Sequence, residues 1–435
     1  MRTLIGLLLS LACACTGTRT GNPGHNGDLP SGVVVAQSEL AREDHPALSS
    51  ANAETLGTDN RAFAFALYRE LSKEPGNLFF SPYSISTALA MTYAGARGTT
   101  ETEMATALHF TLPQSDLHAA FNATDLALAK RKDQLAKSDG PVPTKGDGFE
   151  LHIVNQAWGR QGYTFLDSYL DVLAVNYGAG LYLLDFSGKP DEPRVVINDW
   201  VADQTEQRIK DLLPDGSITG DTALVLTNAI YFKASWFEEF DPAATKPGTF
   251  TAEAGTRNVD MMHAFSETGY AEVDGYRAIA LPYISKDVKM LMVLPPEGSF
   301  GDATSGFDAT LFDGLLSQLQ EATVTLSLPK WKFESEKKLK APLQALGMRA
   351  AFDDGAADFS GMDGSMNLWI DAVYHKAFVA VDEEGTEAAA ATAVVARDES
   401  ASLPVTLTFD RPFMFLIYDD PTGQILFVGH LTDPG

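Results

Sequence analysis

The segment Val381-Asp382-Glu383-Glu384-Gly385-Thr386-Glu387-Ala388-Ala389-Ala390-Ala391-Thr392-Ala393-Val394-Val395 constrains this chain more than any other stretch. It begins acidic, turns at a glycine, and then runs through small residues. Successive side chains of a strand point to opposite faces, so strand faces have a period of two. One face carries Thr386, Ala388, Ala390, Thr392 and Val394, all small and uncharged. The other carries Glu387, Ala389, Ala391, Ala393 and Val395, with its only charge at Glu387. Four consecutive alanines nevertheless favour helix. Composition alone reads as an Ala-rich linker or a frayed helix. The alternation reads as a strand that enters a sheet once space opens.

The 435 residues are 45% hydrophobic and 10% aromatic, an ordinary globular composition with ample core material. A formal net charge of -26 argues against a nucleic-acid partner, since phosphate binding needs clustered Lys and Arg. The densest basic run, Glu336-Lys337-Lys338-Leu339-Lys340, reads as a solvated helix face. The two cysteines are Cys13 and Cys15, so the body holds neither a disulfide nor a thiol nucleophile. Arg2 and the apolar run from Leu4 to Ala14 fit a secretory signal over residues 1–15, too short to span a bilayer. A cysteine after such a run resembles a bacterial lipoprotein processing site, at Cys13 or Cys15. Neither has Leu at the usual third position back, and plain signal cleavage is the alternative. A single lipid would tether the chain rather than embed it. The expected location is secreted or extracellular, or lipid-anchored at a bacterial envelope, with membrane contact only through that lipid.

Residues 16–55 are rich in Gly, Pro, Ser, Asn and Asp and read as a flexible tether. Ordered pattern begins near Thr58, where Phe63, Leu67 and Leu71 recur at helical spacing and Thr58 or Asp59 is the expected cap. A second helix is expected after Ser81-Pro82, because Pro suits a first helical turn. Residues 136–149 read as a surface loop, Leu151 to Trp158 as a strand, and Val195 to about Leu212 as a helix. Thr222 to Phe232 is apolar with little alternation, the mark of a central strand buried on both faces. Met290 to Leu294 and Ala322 to Leu328 read as further strands. Phe413 to Tyr418 and Ile425 to Val428 read as a hairpin. Helices come first and strands later, with few regular crossovers. This predicts one large α+β domain over 56–435, not a doubly wound sheet.

No motif for enzymatic chemistry is present. There is no Gly-x-Ser-x-Gly elbow, no phosphate-binding Gly-x-x-x-x-Gly-Lys-Ser/Thr and no Gly-x-Gly-x-x-Gly. The eight histidines, at 25, 45, 109, 118, 152, 263, 375 and 430, stand singly, so no metal site or cofactor is expected. Met261-Met262-His263 reads as an apolar contact with one polar neighbour. Asn122-Ala123-Thr124 is a formal glycosylation sequon, expected to be unmodified behind a bacterial-type signal. His375, taken alone, reads as a buried histidine bonded to strand backbone rather than a base.

Several segments converge on one family. They are Asn77-Leu78-Phe79-Phe80-Ser81-Pro82-Tyr83-Ser84-Ile85-Ser86, Gly95-Ala96-Arg97-Gly98-Thr99-Thr100 and Thr227-Asn228-Ala229-Ile230-Tyr231-Phe232-Lys233-Ala234-Ser235-Trp236. Leu328-Pro329-Lys330, the hinge-like segment above, Arg411-Pro412-Phe413-Met414-Phe415-Leu416-Ile417 and Leu426-Phe427-Val428-Gly429-His430 follow in order. From about residue 56 to the end the chain resembles the serpins. The resemblance implies an α+β fold of about nine helices around three β-sheets, with an exposed reactive loop at about 383–404. It implies a monomeric suicide inhibitor of serine, sometimes cysteine, endopeptidases, not an enzyme, whose partner is the covalently trapped target. The alternative is a binding protein that keeps the fold and is cut as a substrate.

Carried over residue by residue, Ser81, Ser84, Asn228 and His375 match the polar cluster under the middle of the main sheet. Trp236 matches the large aromatic at the sheet top. The hinge is Glu383, Gly385, Thr386, Glu387, Ala388, Ala389, Ala390 and Thr392. Gly385 to Val395 are expected to stay exposed until cleavage, when Thr386, Ala388, Ala390 and Thr392 become the inward face of a new strand. Counting from the hinge acid puts the reactive bond at Glu399-Ser400. Arg397-Asp398 is the alternative, since Arg397 is what a trypsin-like pocket seeks.

Overall fold

The computed structural model describes residues 29–131, 148–386 and 404–435. Cys13, Cys15, most of the loop read at 136–149, and Glu387, Ala388, Ala389, Ala390, Thr392, Arg397, Asp398, Glu399 and Ser400 lie outside the described residues.

A seven-stranded sheet runs in the order β1 (Val34–Ala36), β4 (Leu181–Leu184), β3 (Phe149–Arg160), β5 (Leu224–Ser235), β13 (Gly385–Thr386), β12 (Ile370–Val381) and β11 (Trp331–Lys338). A second sheet runs β14 (Val405–Thr408), β10 (Gln320–Pro329), β7 (Gly255–Val273), β8 (Tyr276–Pro282), β9 (Val288–Leu294), β15 (Phe413–Asp419), β16 (Gln424–Leu431) and β2 (Leu78–Phe80), with β6 (Lys246–Ala252) beside β7. The 19-residue β7 pairs β6 and β10 along its first part and β8 along its last, so the two smaller sheets join in one path. The described helices are α1 (Ser50–Leu71), α2 (Pro82–Tyr93), α3 (Gly98–Ala107), α4 (Gln114–Ala129), α5 (Asp167–Tyr177), α6 (Asp191–Gln204), α7 (Phe300–Gly306), α8 (Ala309–Gln318), α9 (Lys340–Ala345) and α10 (Ser360–Asp363). None is long and apolar enough to cross a membrane.

The centre of the seven-stranded sheet is buried on both sides. Leu224, Leu226, Ile230 and Phe232 of β5 face the main core. Val225 and Ala229 of the same strand face a second core. There Val154, Trp158 and Tyr374 pack on Ile197, Trp200 and Val201 of α6. The unalternating run at 222–232 is this doubly buried strand.

Four expectations change. The 16–55 tether does not hold over its described second half, because Val34–Ala36 pairs with Leu181–Leu183 at the open edge of β4. The short β-branched run Val33-Val34-Val35 outweighs the surrounding Gly and Pro. Helix α1 starts at Ser50, capped by Ser49, whose side chain accepts from Asn52 N at 3.1 Å. Its first turn is mostly exposed, so apolar periodicity misses it. Thr58 is not the cap, and Asp59 lies buried within the helix, accepting from Thr111 N at 2.8 Å.

Helix α6 begins at Asp191, with Asp191 and Glu192 in its first turn, where the helix dipole favours acids. It stops at Gln204 rather than Leu212. Ile209, Leu212 and Leu213 have helical spacing but anchor a non-helical segment on the second core. Glu336 to Lys338 belong to strand β11, not to a helix face.

Candidate functional site at the seam between β5 and β12

Strands β5 and β12 pair in parallel from Leu224 to Ile230 against Ile370 to Ala377. Beyond that the two strands part, and Gly385-Thr386 sits between them. Thr386 pairs with Ala234 on one side and Val381 on the other. Its side chain is buried and its hydroxyl lies 2.8 Å from the Tyr283 hydroxyl. Gly385 has φ +154°, and a Cβ there would stand 2.1 Å from the Ala234 carbonyl oxygen. Only glycine permits that approach. The expectation that Gly385 and Thr386 stay exposed until cleavage is therefore corrected: both are already in the sheet. Small size and, at Thr386, one hydrogen-bonding hydroxyl let them enter a gap that a larger side chain would not.

A tight reversal leads into this seat. Asp382 N donates to Gly385 O at 3.0 Å and Glu384 N donates to Asp382 Oδ1 at 3.0 Å. Glu383 is held from both sides, by Lys330 Nζ at 2.7 Å and by the Thr245 hydroxyl at 2.8 Å. Burial opposes charge on the Glu383 carboxyl, but Lys330 and Thr245 outweigh it and hold the group below the usual carboxylate range. Trp236 closes the top. Its Nε1 donates to Asp382 O at 3.1 Å, its backbone N donates to Glu384 O at 2.9 Å, and its ring stacks on Tyr283 at 4.6 Å.

Ser81, Ser84, Asn228 and His375 do come together, beneath the paired part of the seam. Ser81 caps α2, accepting from Ser84 N at 3.2 Å. His375 Nε2 accepts from Ser81 N at 3.2 Å, so its proton sits on Nδ1 and is given to Asn228 Oδ1. Asn228 Nδ2 then donates to Ser84 Oγ at 2.6 Å and to Asn155 Oδ1. Burial drives the His375 pKa down to about 3, so the ring is neutral. His375 thus bonds both backbone and side chain, and nothing around it offers base chemistry.

Sequence reasoning missed Asn155, Tyr283 and Thr245. Asn155 had a signal: with Gln156 it breaks the apolar run from Ile153 to Trp158 in β3, and its Nδ2 also donates to Ser84 O at 3.1 Å. Tyr283 and Thr245 carry no local signal, because they reach the hinge only through the second sheet. The sequon residue Asn122 is buried, with Nδ2 donating to Glu43 O at 2.7 Å, which leaves no room for a glycan.

The family model described as Serpin (serine protease inhibitor) matches residues 58–434. The chain belongs to the serpin family. An uncharacterised serpin-like protein of Thermococcus kodakarensis is 37% identical, over 99% of this chain and 98% of its own length. The leukocyte elastase inhibitor of Sus scrofa is 38% identical, over 88% of this chain and all of its own. Among solved structures, the thermophilic serpin tengpin in its native state superposes with a TM-score of 0.78 at 25% identity, covering 92% of this chain and 97% of that one. The fold is the serpin fold, and serpins as a family are protease inhibitors rather than catalytic enzymes.

Proposed function

We propose that this serpin is an irreversible suicide-substrate inhibitor of serine endopeptidases, with cysteine endopeptidases as a secondary class. The protease attacks the reactive loop at Glu399-Ser400 and forms an acyl-enzyme. The freed hinge side then inserts between β5 and β12, and the acylated protease is carried away before water completes hydrolysis. Serpin loop insertion is a standard instance of strand addition and stored strain. The observation that carries this reading is the seat of Gly385-Thr386. The first two residues of the inserting segment already occupy the seam, and the residues that follow Thr386 on its face in sequence, Ala388, Ala390 and Thr392, are small and uncharged.

The cluster of Ser81, Ser84, Asn228 and His375, with Asn155, is the element that yields. Its groups trade partners as the strands part, which limits the cost of unsatisfied buried atoms. Trp236 covers the entry. We place the protein outside the cytoplasm, exported by its N-terminal segment and anchored if Cys13 or Cys15 is lipidated.

A gel with a panel of serine proteases tests the reading: a covalent band that survives SDS is expected. Loop cleavage without such a band for every protease would overturn it in favour of a serpin-fold substrate. Mass spectrometry of the released C-terminal fragment distinguishes Glu399-Ser400 from Arg397-Asp398.

A further inference from the structure

Glu150 and His152 are two residues apart on β3, so both side chains lie on the face that α6 covers, with Val154 and Trp158. Helix α6 ends at Gln204, and Glu206 and Gln207 follow with φ +50° and +62°. That left-handed pair reverses the chain and brings Glu206 over β3. One ligand atom each from Glu150, His152 and Glu206 lie within 4.8 Å of one another.

The state of Glu150 points to a missing ligand. Its side chain is only 10% exposed. One oxygen, Oε1, takes the Lys233 ammonium at 3.2 Å. The other, Oε2, is buried with no hydrogen-bond partner. His152 Nε2 lies 3.7 Å from it, beyond hydrogen-bond reach. Two atoms that both bind one tetrahedral zinc ion stand about 3.3–3.5 Å apart, given bonds of about 2.0–2.2 Å. Glu206 is exposed and on a turn, so its carboxylate closes the remaining distance by side-chain rotation.

We propose that Glu150, His152 and Glu206 form a site for a divalent transition-metal ion of the zinc class, which ties β3 to the turn after α6. One imidazole and two carboxylates suit such an ion, with water in a fourth position. Calcium and magnesium take six or more oxygens, which three residues do not supply. Lys233 holds Oε1, which leaves the buried Oε2 as the oxygen facing His152 and the ion. Sequence spacing hid the site, because its third ligand lies far along the chain from the β3 pair.

The position gives the ion a role. Phe149 pairs with Ala234, and Ala234 pairs with Thr386. The ion would therefore clamp the covering helix to the sheet one strand away from the hinge. It would slow the sheet movement that loop insertion needs. This regulatory half rests on the inhibitor reading; the site itself does not.

The test uses the full chain, stripped of metal, with both cysteines alkylated, and titrates zinc by calorimetry. Wild type should bind one equivalent. His152→Ala and Glu206→Gln, each confirmed as folded by circular dichroism, should weaken that binding at least about tenfold. No stoichiometric binding to wild type, or equal binding in both variants, would overturn the site. Protease-trapping rates with and without zinc then test the clamp. A wild type that binds zinc but traps at an unchanged rate loses the clamp and keeps the site. A wild type that traps no protease in either condition fails the inhibitor reading alone.

Discussion

The two halves of the seam between β5 and β12 are built differently. In the lower half, Leu224 to Ile230 pair directly with β12, and a saturated polar network lies beneath them. In the upper half the same strands are held apart at Ala234 by two residues of a different segment. The lower half is closed but its polar groups have several alternative partners. The upper half is already open and is wedged by a glycine and a threonine. A sheet that must accept a strand along its length needs an entry that is already parted and a middle that can part. The contrast between the halves locates those two properties in different residues.

The most severe test opens the whole seam. Cleavage of the loop should let about a dozen residues insert, adding on the order of 15–20 ladder hydrogen bonds and roughly 10–20 kcal/mol. That rivals the stability of a whole domain, so on the inhibitor reading the intact chain would be held by kinetics. Calorimetry should show the cleaved chain melting well above the intact one. Equal melting temperatures would mean that the lower half never opens. A narrower test acts on the wedge alone. Thr386→Arg places a charge where the side chain is buried against Tyr283. Every 1.4 kcal/mol added to the insertion barrier slows it tenfold, and a buried unpaired charge adds more than that. Stable complex should therefore fall at least about tenfold while the loop is still cut. Unchanged trapping would show that residue 386 does not travel on the inward face.

Much of this architecture was legible in the chain itself, for a physical reason. The doubly buried β5 announces itself by losing alternation, and Ser81-Pro82 announces α2 because cap and first-turn chemistry are local. The hinge alternation put Thr386 on an inward face, and its side chain is buried; the other residues of that face lie outside the described residues. What could not be read was occupancy. Whether Thr386 waits outside or already sits in the sheet depends on the gap at Ala234 and on Tyr283, which lies just past β8 and meets the Thr386 hydroxyl. The α6 boundary failed similarly, since Ile209, Leu212 and Leu213 have helical spacing but are used as tertiary anchors. Asn155 was visible as a polar break in an apolar strand, yet its partners come from α2 and β5.

Acid should weaken the lower half more than the upper. Burial holds His375 down to about 3, and His118 and His430 each down to about 4. All three are neutral in the fold at pH 5, while an unfolded chain with ordinary values near 6.5 binds protons there. Stability therefore falls as pH drops below about 6.5, by about 1.4 kcal/mol per histidine per pH unit, until the folded-state values are reached. Denaturant melts between pH 7 and 5 should show this slope. His375→Gln should flatten it by one histidine's share. If it leaves the slope unchanged, the lower half is not the acid-sensitive part.

The smallest expected effect is at the approach to the wedge. Lys330 is 38% exposed beside Glu383, whose side chain is 11% exposed. A pair so open to water is worth at most about 1 kcal/mol. Lys330→Ala also leaves the Thr245 hydroxyl on Glu383, together with the backbone bonds from Trp236 and Phe240 to Glu384 and Glu383. The variant should therefore melt within a few degrees of wild type and trap protease nearly as well, because the wedge is seated by backbone pairing at Ala234 and not by this charge. A large loss of melting temperature would move the weight of the upper seam from β13 to the Glu383 clamp. The open half would then be held by charge where the closed half is held by packing and neutral hydrogen bonds, and salt, which screens the one and spares the other, should separate them.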